Sequence, residues 1–263
     1  MGIRITPDQS APHAYRLIYC VCCGFRLDVP IDCGFRFCIP CSKRRAFRVR
    51  NRLQWIFDNF RPQPGYMLKM ITLSTSNCKQ LEPGVTHLIS SFRRLRQRNV
   101  WRDHVSGGAT IIEIKGRPNN WHPHLHILCY SLRLPWRPLR DAWMSVSGGT
   151  ACYIQNVDTE RAKFYVTKYI TKADVPAFLL RGLSKVLVKY RLFQRFGDWH
   201  SLTIPKKLYD YPCPNCSRSD WLPEQVLSSL HRSRSPPGYT KKPTPVLTER
   251  DINWRSPRIW PHI

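Results

Sequence analysis

The scarcity of acidic residues is the first informative feature of this sequence. Its 263 residues include 17 Asp and Glu against 42 Lys and Arg, which gives a formal net charge of +25 and a pI of about 10.1. Hydrophobic residues still make up 42% and aromatic residues 12%, so a core can form and general disorder is excluded. A folded chain with this charge indicates a polyanionic partner, with nucleic acid the first candidate and an anionic membrane surface the second.

Long hydrophobic runs are also missing. No apolar segment approaches the ~18 residues of a membrane span, and the N-terminus lacks the apolar centre of a signal peptide. No Gly-x-x-x-x-Gly-Lys-[Ser/Thr] motif is present, so no helicase activity is predicted. Eleven cysteines without a secretory signal favour metal thiolates over disulfides. We therefore expect a cytoplasmic protein. If the protein is viral, the expected compartment is the cytoplasm of the host cell.

Hydrophobic periodicity predicts alternating strands and helices in the middle of the chain. A basic helix at 42–60 is followed by strands at 67–75, 109–115, 124–130 and 152–157 and helices at 83–100, 138–146, 158–172 and 177–196. This order predicts an α+β fold with an antiparallel sheet and helices on one face. The expected domains are an N-terminal zinc-binding module with the basic helix (1–60), a central domain (61–200) and a partly disordered C-terminal tail (201–263).

The segment around Pro123 carries a pattern typical of metal sites. On a strand, residues two apart share a face, so His124 and His126 point the same way and can hold one metal ion. Glu113 lies in the middle of the preceding strand, where a charge is costly unless it is paired or metal-bound. A hairpin would place Glu113 beside both histidines. Two structural histidines and an edge-strand glutamate are the alternative.

The helix predicted after the last strand carries two tyrosines. Tyr165 and Tyr169 are four residues apart and share a face, with Lys168 and Lys172 on an adjacent strip. Taken alone, this is best explained by an amphipathic helix with packed tyrosines and solvated lysines. Beside a metal, a tyrosine hydroxyl becomes a candidate nucleophile for a phosphodiester. Its pKa of about 10 means that it needs help to ionise, which a nearby lysine could give.

These segments resemble the three motifs of the HUH endonucleases, in the order of that superfamily. The motifs are Thr72-Leu-Ser-Thr75 after an apolar strand, Pro123-His-Leu-His126, and Tyr165-Val-Thr-Lys-Tyr169-Ile-Thr-Lys172. The Tyr-x-x-x-Tyr spacing is most similar to the two-tyrosine group, which includes rolling-circle replication initiators of phages and plasmids. The resemblance covers about residues 67–200 and implies a central antiparallel sheet with helices packed on it.

The resemblance also implies a chemistry and residue roles. Mg²⁺ or Mn²⁺ would be bound by His124, His126 and Glu113, with Tyr169 the nucleophile and Tyr165 the second tyrosine. The implied reaction nicks one DNA strand at an origin, leaving a 5′-phosphotyrosine link and a free 3′-hydroxyl for rolling-circle replication, and later religates it. The implied partners are DNA, single-stranded at the cut, and a host helicase and polymerase, with no membrane. A two-tyrosine single-strand transposase and a non-enzymatic zinc-containing DNA-binding protein stay open as alternatives.

Two Cys-x-x-Cys pairs near the N-terminus predict a tetrathiolate zinc site. Cys20 and Cys23 are followed, after fourteen residues, by Cys38 and Cys41, and Cys33 could replace one ligand. The spacing and the basic residues that follow resemble the N-terminal zinc module of some two-tyrosine enzymes. A role of this module in DNA binding and a purely structural zinc are both open.

A third pair, Cys213-Pro-Asn-Cys216, is half a zinc site by itself. His200 or His231 could complete it, or both cysteines are free thiols.

Contacts to DNA are expected from basic and aromatic side chains. Bases stack on aromatic rings, and Trp121 and His122 precede the histidine strand in a predicted loop. The basic helix would contact the phosphates. The expected DNA-binding residues are Arg44, Arg45, Arg48, Trp121 and His122.

Overall fold

The computed structural model describes residues 15–31, 33–149, 151–171, 175–191, 193–205 and 212–223. The chain divides into a small unit, Ala11–Cys33 with Tyr209–Ile263, and a large unit, Met1–Ser10 with Gly34–Leu208. This division differs from the predicted boundaries at 60 and 200, because the basic helix belongs to the large unit. His231, most of the predicted tail and Lys172 lie outside the described residues.

The small unit contains one three-stranded antiparallel sheet. Its strands are β1 (Tyr15–Cys20), β2 (Arg26–Pro30) and β8 (Trp221–Pro223), in the order β2-β1-β8. β1 pairs with both neighbours, and Cys20 lies opposite Trp221. A strand from the C-terminal part of the chain thus completes the sheet begun near the N-terminus, which local sequence patterns did not indicate.

The large unit is built on a five-stranded antiparallel sheet. Its strands are β3 (Met67–Ser74), β4 (Val105–Arg117), β5 (Asn120–Ser131), β6 (Cys152–Asn156) and β7 (Phe193–Gly197), in the order β6-β3-β5-β4-β7. Its helices are α1 (Ile39–Asn59), α2 (Leu81–Leu95), α3 (Asn99–Arg102), α4 (Trp136–Ser147), α5 (Thr159–Thr171), α6 (Leu180–Leu187) and α7 (Asp198–Ser201), with a 3-10 helix at Ala177–Leu179. The predicted α+β class with antiparallel pairing is confirmed.

Helices cover both faces of this sheet, and the expectation of helices on one face is wrong. On β5, Leu128 and Tyr130 belong to the core formed with α1 and α5, whereas Leu125 and Ile127 belong to the core formed with α2, α4 and α6. Because side chains alternate along a strand, these two sets lie on opposite faces. Both faces of the central strands are apolar, so each requires a cover.

The single helix predicted at 177–196 is also wrong in its second half. α6 ends at Leu187, and the chain then forms β7, which pairs with β4. Phe196 of β7 packs against Phe92 and Trp101, with ring centroids 5.7 and 6.1 Å apart. This long-range aromatic packing decides between strand and helix for a short apolar run whose local pattern suits either.

The described helices include none that is long and apolar enough to cross a membrane.

Candidate functional site

Strand β5 presents three histidines on one face of the large sheet. The rings of His122 and His124 have centroids 4.2 Å apart, and those of His124 and His126 lie 6.3 Å apart and nearly parallel. His122 was expected in a loop, but β5 begins at Asn120 and therefore includes it. The alternation of three histidines at positions 122, 124 and 126 was a sequence signal for this longer strand.

Glu113 reaches this face from the neighbouring strand β4. In the predicted hairpin, now confirmed, Glu113 lies opposite His124 in the register. Its Oε2 atom lies 2.9 Å from Nε2 of His126 and 3.7 Å from Nζ of Lys115. Glu113 and His126 are 4% and 3% exposed, so this contact is shielded from water.

The charge state of Glu113 follows from its neighbours. Burial raises the pKa of its carboxyl, but the hydrogen bond and charge of His126 and the charge of Lys115 lower it more, so the net pKa lies below its ordinary value. The carboxyl is therefore ionised at neutral pH. An ionised carboxylate only accepts hydrogen bonds, so Nε2–H of His126 is the donor.

Thr72 holds the other nitrogen of His126. Its Oγ1 lies 3.1 Å from Nδ1 of His126, and the two residues are opposite each other in the β3–β5 register. Which of the two groups donates depends on which ring nitrogen of His126 carries the hydrogen. Sequence reasoning missed this role, although Thr72 lies in the first of the motifs on which the resemblance rests.

His124 is kept neutral by its surroundings. Burial, followed by the nearby charges of His122 and Lys115, lowers the pKa of His124 to about 4. Its Nε2 atom is buried and has no hydrogen-bond partner among the described residues. A neutral imidazole is the form that binds metals.

The donor set of this face suits a divalent cation. Imidazole and carboxylate ligands together suit Mn²⁺ at least as well as Mg²⁺. Nε2 of His124 has no hydrogen-bond partner among the described residues and is therefore available as a ligand atom. Glu113, His124 and His126 do not bring one ligand atom each within 4.8 Å of one another. Among the described residues, every group that does so consists of cysteines.

Helix α5 places both tyrosines at the same face of the sheet. The ring of Tyr169 stacks on that of His126 with centroids 3.6 Å apart and an angle of 8° between the planes. Tyr165 lies one turn earlier, with its ring 6.5 Å from that of Tyr169 and nearly parallel to it. Val166 and Ile170 of the same helix are buried in the core, which fixes the direction in which the tyrosines point.

The phenol of Tyr169 is not activated by the protein alone. Burial raises its pKa, and the negative charge of Glu113 and the neighbouring Tyr165 raise it further. Lys168, expected to assist, is exposed on α5. Lys115 was not singled out from the sequence. Its ammonium group lies 3.7 Å from Oε2 of Glu113 and brings a positive charge to this face. A further positive charge near the phenol would favour its ionised form.

The expected DNA-binding residues have mixed positions. Trp121 is only 8% exposed, and its backbone pairs with Cys78, so the expectation that its ring offers a stacking surface is corrected. Arg45 of α1 donates hydrogen bonds to the carbonyl oxygens of Phe35 and Arg36. Arg44 and Arg48 are half-buried on the same helix, and their contact with DNA stays a prediction.

The cysteines group differently from the predicted arrangement. In the small unit, Cys20 and Cys23 lie with Cys213 and Cys216, and the four sulfur atoms are all within 4.8 Å of one another. The pairing of β8 with β1 explains this grouping, because it brings the segment that carries Cys213 and Cys216 beside the segment that carries Cys20 and Cys23. Local spacing could not indicate it, since the partner cysteines are about 190 residues away in the chain.

The remaining predicted ligands lie elsewhere in the chain. Cys38 and Cys41 are buried at the start of α1 in the large unit, and their sulfur atoms lie within 4.8 Å of each other. Cys33, the last residue of the small unit's N-terminal segment, is exposed. Cysteine groups of this kind could hold a metal such as zinc.

A comparison with known protein families gives one match. Residues 24–132 match the family model described as "Replication protein". The matched segment contains Glu113, His124 and His126 and ends before α5 with its two tyrosines. Neither the curated proteins nor the solved structures yielded a match to the chain. The match is a similarity to replication proteins over less than half of the chain.

Proposed function

We propose that this chain is a metal-dependent nickase that starts rolling-circle replication by tyrosine attack on one DNA strand. The observation that carries the proposal is the stacking of Tyr169 on His126, at 3.6 Å between ring centroids. A candidate nucleophile on one element thereby lies against candidate metal ligands on another. The match of residues 24–132 to replication proteins supports the biological role.

Three residues would hold the catalytic cation. His124 and His126 contribute neutral imidazoles and Glu113 a carboxylate. A bound Mg²⁺ or Mn²⁺ supplies charge that polarises the scissile phosphate and favours a phenolate. With the cation on Nε2 of His126, its Nδ1–H would donate to Oγ1 of Thr72 and orient the ring, as metal-bound histidines commonly do with an outer acceptor.

The reaction of Tyr169 with DNA is a transesterification. The phenolic oxygen of Tyr169 loses its proton and attacks the phosphorus of a DNA phosphodiester. The bond from phosphorus to the 3′ oxygen breaks, and that oxygen leaves with the electron pair and takes up a proton. The products are a 5′-phosphotyrosine and a free 3′-hydroxyl that a polymerase can extend.

Tyr165 gives the site a second nucleophile. Its ring lies 6.5 Å from that of Tyr169 on the same helix face. After replication has regenerated the junction, Tyr165 would cut the new strand, and the released 3′-hydroxyl would attack the Tyr169 linkage to reseal the DNA. Two adjacent tyrosines allow both linkages to exist within one site.

A covalent trapping experiment tests the proposal. The full chain is incubated with Mn²⁺ and labelled single-stranded oligonucleotides tiled across the replicon that encodes it, and adducts are resolved under denaturing conditions. Wild type is expected to form an adduct, and the double variant Tyr165→Phe/Tyr169→Phe none. Tyr190→Phe is the matched control, because Tyr190 packs against the core on the opposite face of the sheet.

Three results would count against the proposal. Adduct formation by the double variant would show that neither tyrosine is the nucleophile. Undiminished adduct formation after chelation would remove the metal role of Glu113, His124 and His126. If no oligonucleotide is cut but the chain still binds them, the chain is a non-enzymatic DNA-binding protein.

A further inference from the structure

Two turns of the small unit have the same pattern of backbone hydrogen bonds. In the first, Cys20 N–H donates to Phe25 O at 2.8 Å and Gly24 N–H to Cys20 O at 2.9 Å. In the second, Cys213 N–H donates to Arg218 O at 2.7 Å and Ser217 N–H to Cys213 O at 2.8 Å. Each bond joins equivalent positions of a Cys-x-x-Cys turn. The two turns are therefore one motif that occurs twice.

The residue after the second cysteine has a positive φ in both turns. Gly24 has φ +70° and Ser217 has φ +60°. Positive φ is easy for glycine but disfavoured for serine. A serine held there indicates that its surroundings determine the conformation of the turn.

The sulfur atoms of the two turns converge. Cys20 Sγ lies 3.5 Å from Cys216 Sγ, and Cys23 Sγ lies 3.5 Å from Cys213 Sγ. Four sulfurs at about 2.3 Å from a tetrahedral zinc ion would be about 3.8 Å apart, whereas a disulfide requires about 2.05 Å. The observed spacing is thus close to that of a tetrathiolate and far from that of a disulfide.

Backbone pairing holds the turns together independently of the sulfurs. β8 pairs with β1 through Ile18, Tyr19 and Cys20, and Val21 N–H donates to Asp220 O at 2.9 Å. Cys20 and Cys213 are both 1% exposed. The β1–β8 pairing consequently holds the two cysteine-bearing turns beside each other.

We propose that Cys20, Cys23, Cys213 and Cys216 bind one zinc ion, and that this ion closes a zinc ribbon from the two ends of the chain. The site replaces the tetrathiolate that local spacing predicts from Cys20, Cys23, Cys38 and Cys41. Binding of Zn²⁺ by four cysteines displaces their thiol protons to solvent and involves no redox change. The C-terminal segment 212–223 is then a structural part of the N-terminal module. This inference does not depend on the nicking activity.

Zinc content of the full chain, purified under reducing conditions, tests the proposal. The variants are Cys20→Ser/Cys23→Ser, Cys213→Ser/Cys216→Ser and the combined fourfold variant. Each is expected to lose one equivalent of zinc, and the fourfold variant also only one, because both pairs serve one ion. Cys22→Ser is the matched control, since Cys22 is exposed in the first turn and outside the group. It is expected to keep the wild-type content.

Unchanged zinc in Cys213→Ser/Cys216→Ser, or a loss of two equivalents in the fourfold variant, would overturn the proposal. If the variants do not fold, alkylation of the wild-type chain followed by peptide mass spectrometry decides. Cys20, Cys23, Cys213 and Cys216 should be protected with zinc bound and become reactive together on chelation, while Cys22 reacts in both states. Modification of Cys213 and Cys216 at the rate of Cys22 with zinc present would also overturn it.

Discussion

His126 has a described partner on each ring nitrogen and an aromatic ring on its face. Nε2 contacts Glu113, Nδ1 contacts Thr72, and Tyr169 stacks on the ring. A side chain held from three directions cannot change its orientation without breaking at least one contact. The position of Tyr169 relative to the candidate metal ligands is therefore set at the level of single residues.

Removing the Thr72 hydroxyl should weaken metal binding without unfolding the chain. In Thr72→Val the shape is kept but Nδ1 of His126 loses its partner, so we expect about 10- to 100-fold weaker Mn²⁺ affinity. The measurement is the Mn²⁺ concentration that gives half-maximal adduct formation, and high Mn²⁺ should restore the yield. Thr110→Val is the control, because Thr110 contacts Gln194 O and no histidine. An unchanged Mn²⁺ dependence for Thr72→Val would show that this contact does not position the ligand.

Two buried thiols should be inert in the folded chain. Burial raises the pKa of Cys129 to about 12 and that of Cys152 to about 11. The thiolate is the reactive form, so at pH 9 iodoacetamide should modify Cys22 and leave both of these thiols intact until denaturant is added. Both raised pKa values also contribute stability to the folded state below pH 9.0, the ordinary pKa of the thiol. This stability is lost as the pH rises from 9.0 through the raised pKa values. Equal labelling of Cys129 and Cys22 in the native chain, read by peptide mass spectrometry, would contradict this burial.

At the scale of elements, local patterns predicted which side chains share a face, and they did not predict the long-range contacts. The alternation in β5 and the four-residue spacing in α5 are local patterns, so the pairing of His124 with His126 and of Tyr165 with Tyr169 on one face could be predicted from them. Contacts that depend on register or on distant segments could not. These include Thr72 on His126, the strand β7 where a helix was expected, and the β1–β8 pairing that regroups the cysteines.

Helix α5 must be anchored for the tyrosines to stay at the sheet. Ile170 is buried beside Tyr169, and Ile170→Ala should cost about 2–5 kcal/mol of unfolding free energy through lost burial and the cavity left behind. Chemical denaturation measures this cost, and adduct yield should fall with it. Arg161→Ala is the control on the same helix, because this exposed side chain should change stability by no more than about 0.5 kcal/mol. A cost for Ile170→Ala as small as that of the control would show that α5 is not held by this packing.

At the scale of the whole molecule, the charge of +25 is the property that the proposed partner uses. Basic residues far outnumber the acidic ones, which leaves a positive field that attracts a phosphate backbone before any specific contact forms. Affinity for single-stranded DNA should therefore depend steeply on salt.

A salt titration measures this electrostatic contribution. If about six phosphates are contacted, binding should weaken about 300-fold between 50 and 200 mM salt. Fluorescence anisotropy of a labelled oligonucleotide, with the double variant Tyr165→Phe/Tyr169→Phe used to prevent cutting, gives the slope directly. A slope near zero would mean that the net charge does not serve DNA binding.

The most direct test of the central claim is the identity of the residue that becomes linked to DNA. Wild-type protein is reacted with Mn²⁺ and single-stranded DNA of its own replicon, the DNA is digested to nucleotides, and the linked peptide is sequenced by mass spectrometry. We expect a nucleotide attached through its 5′ phosphate to Tyr169, or to Tyr165 one turn away. A nucleotide on any residue outside α5, or cleavage with no protein-linked nucleotide, would contradict it.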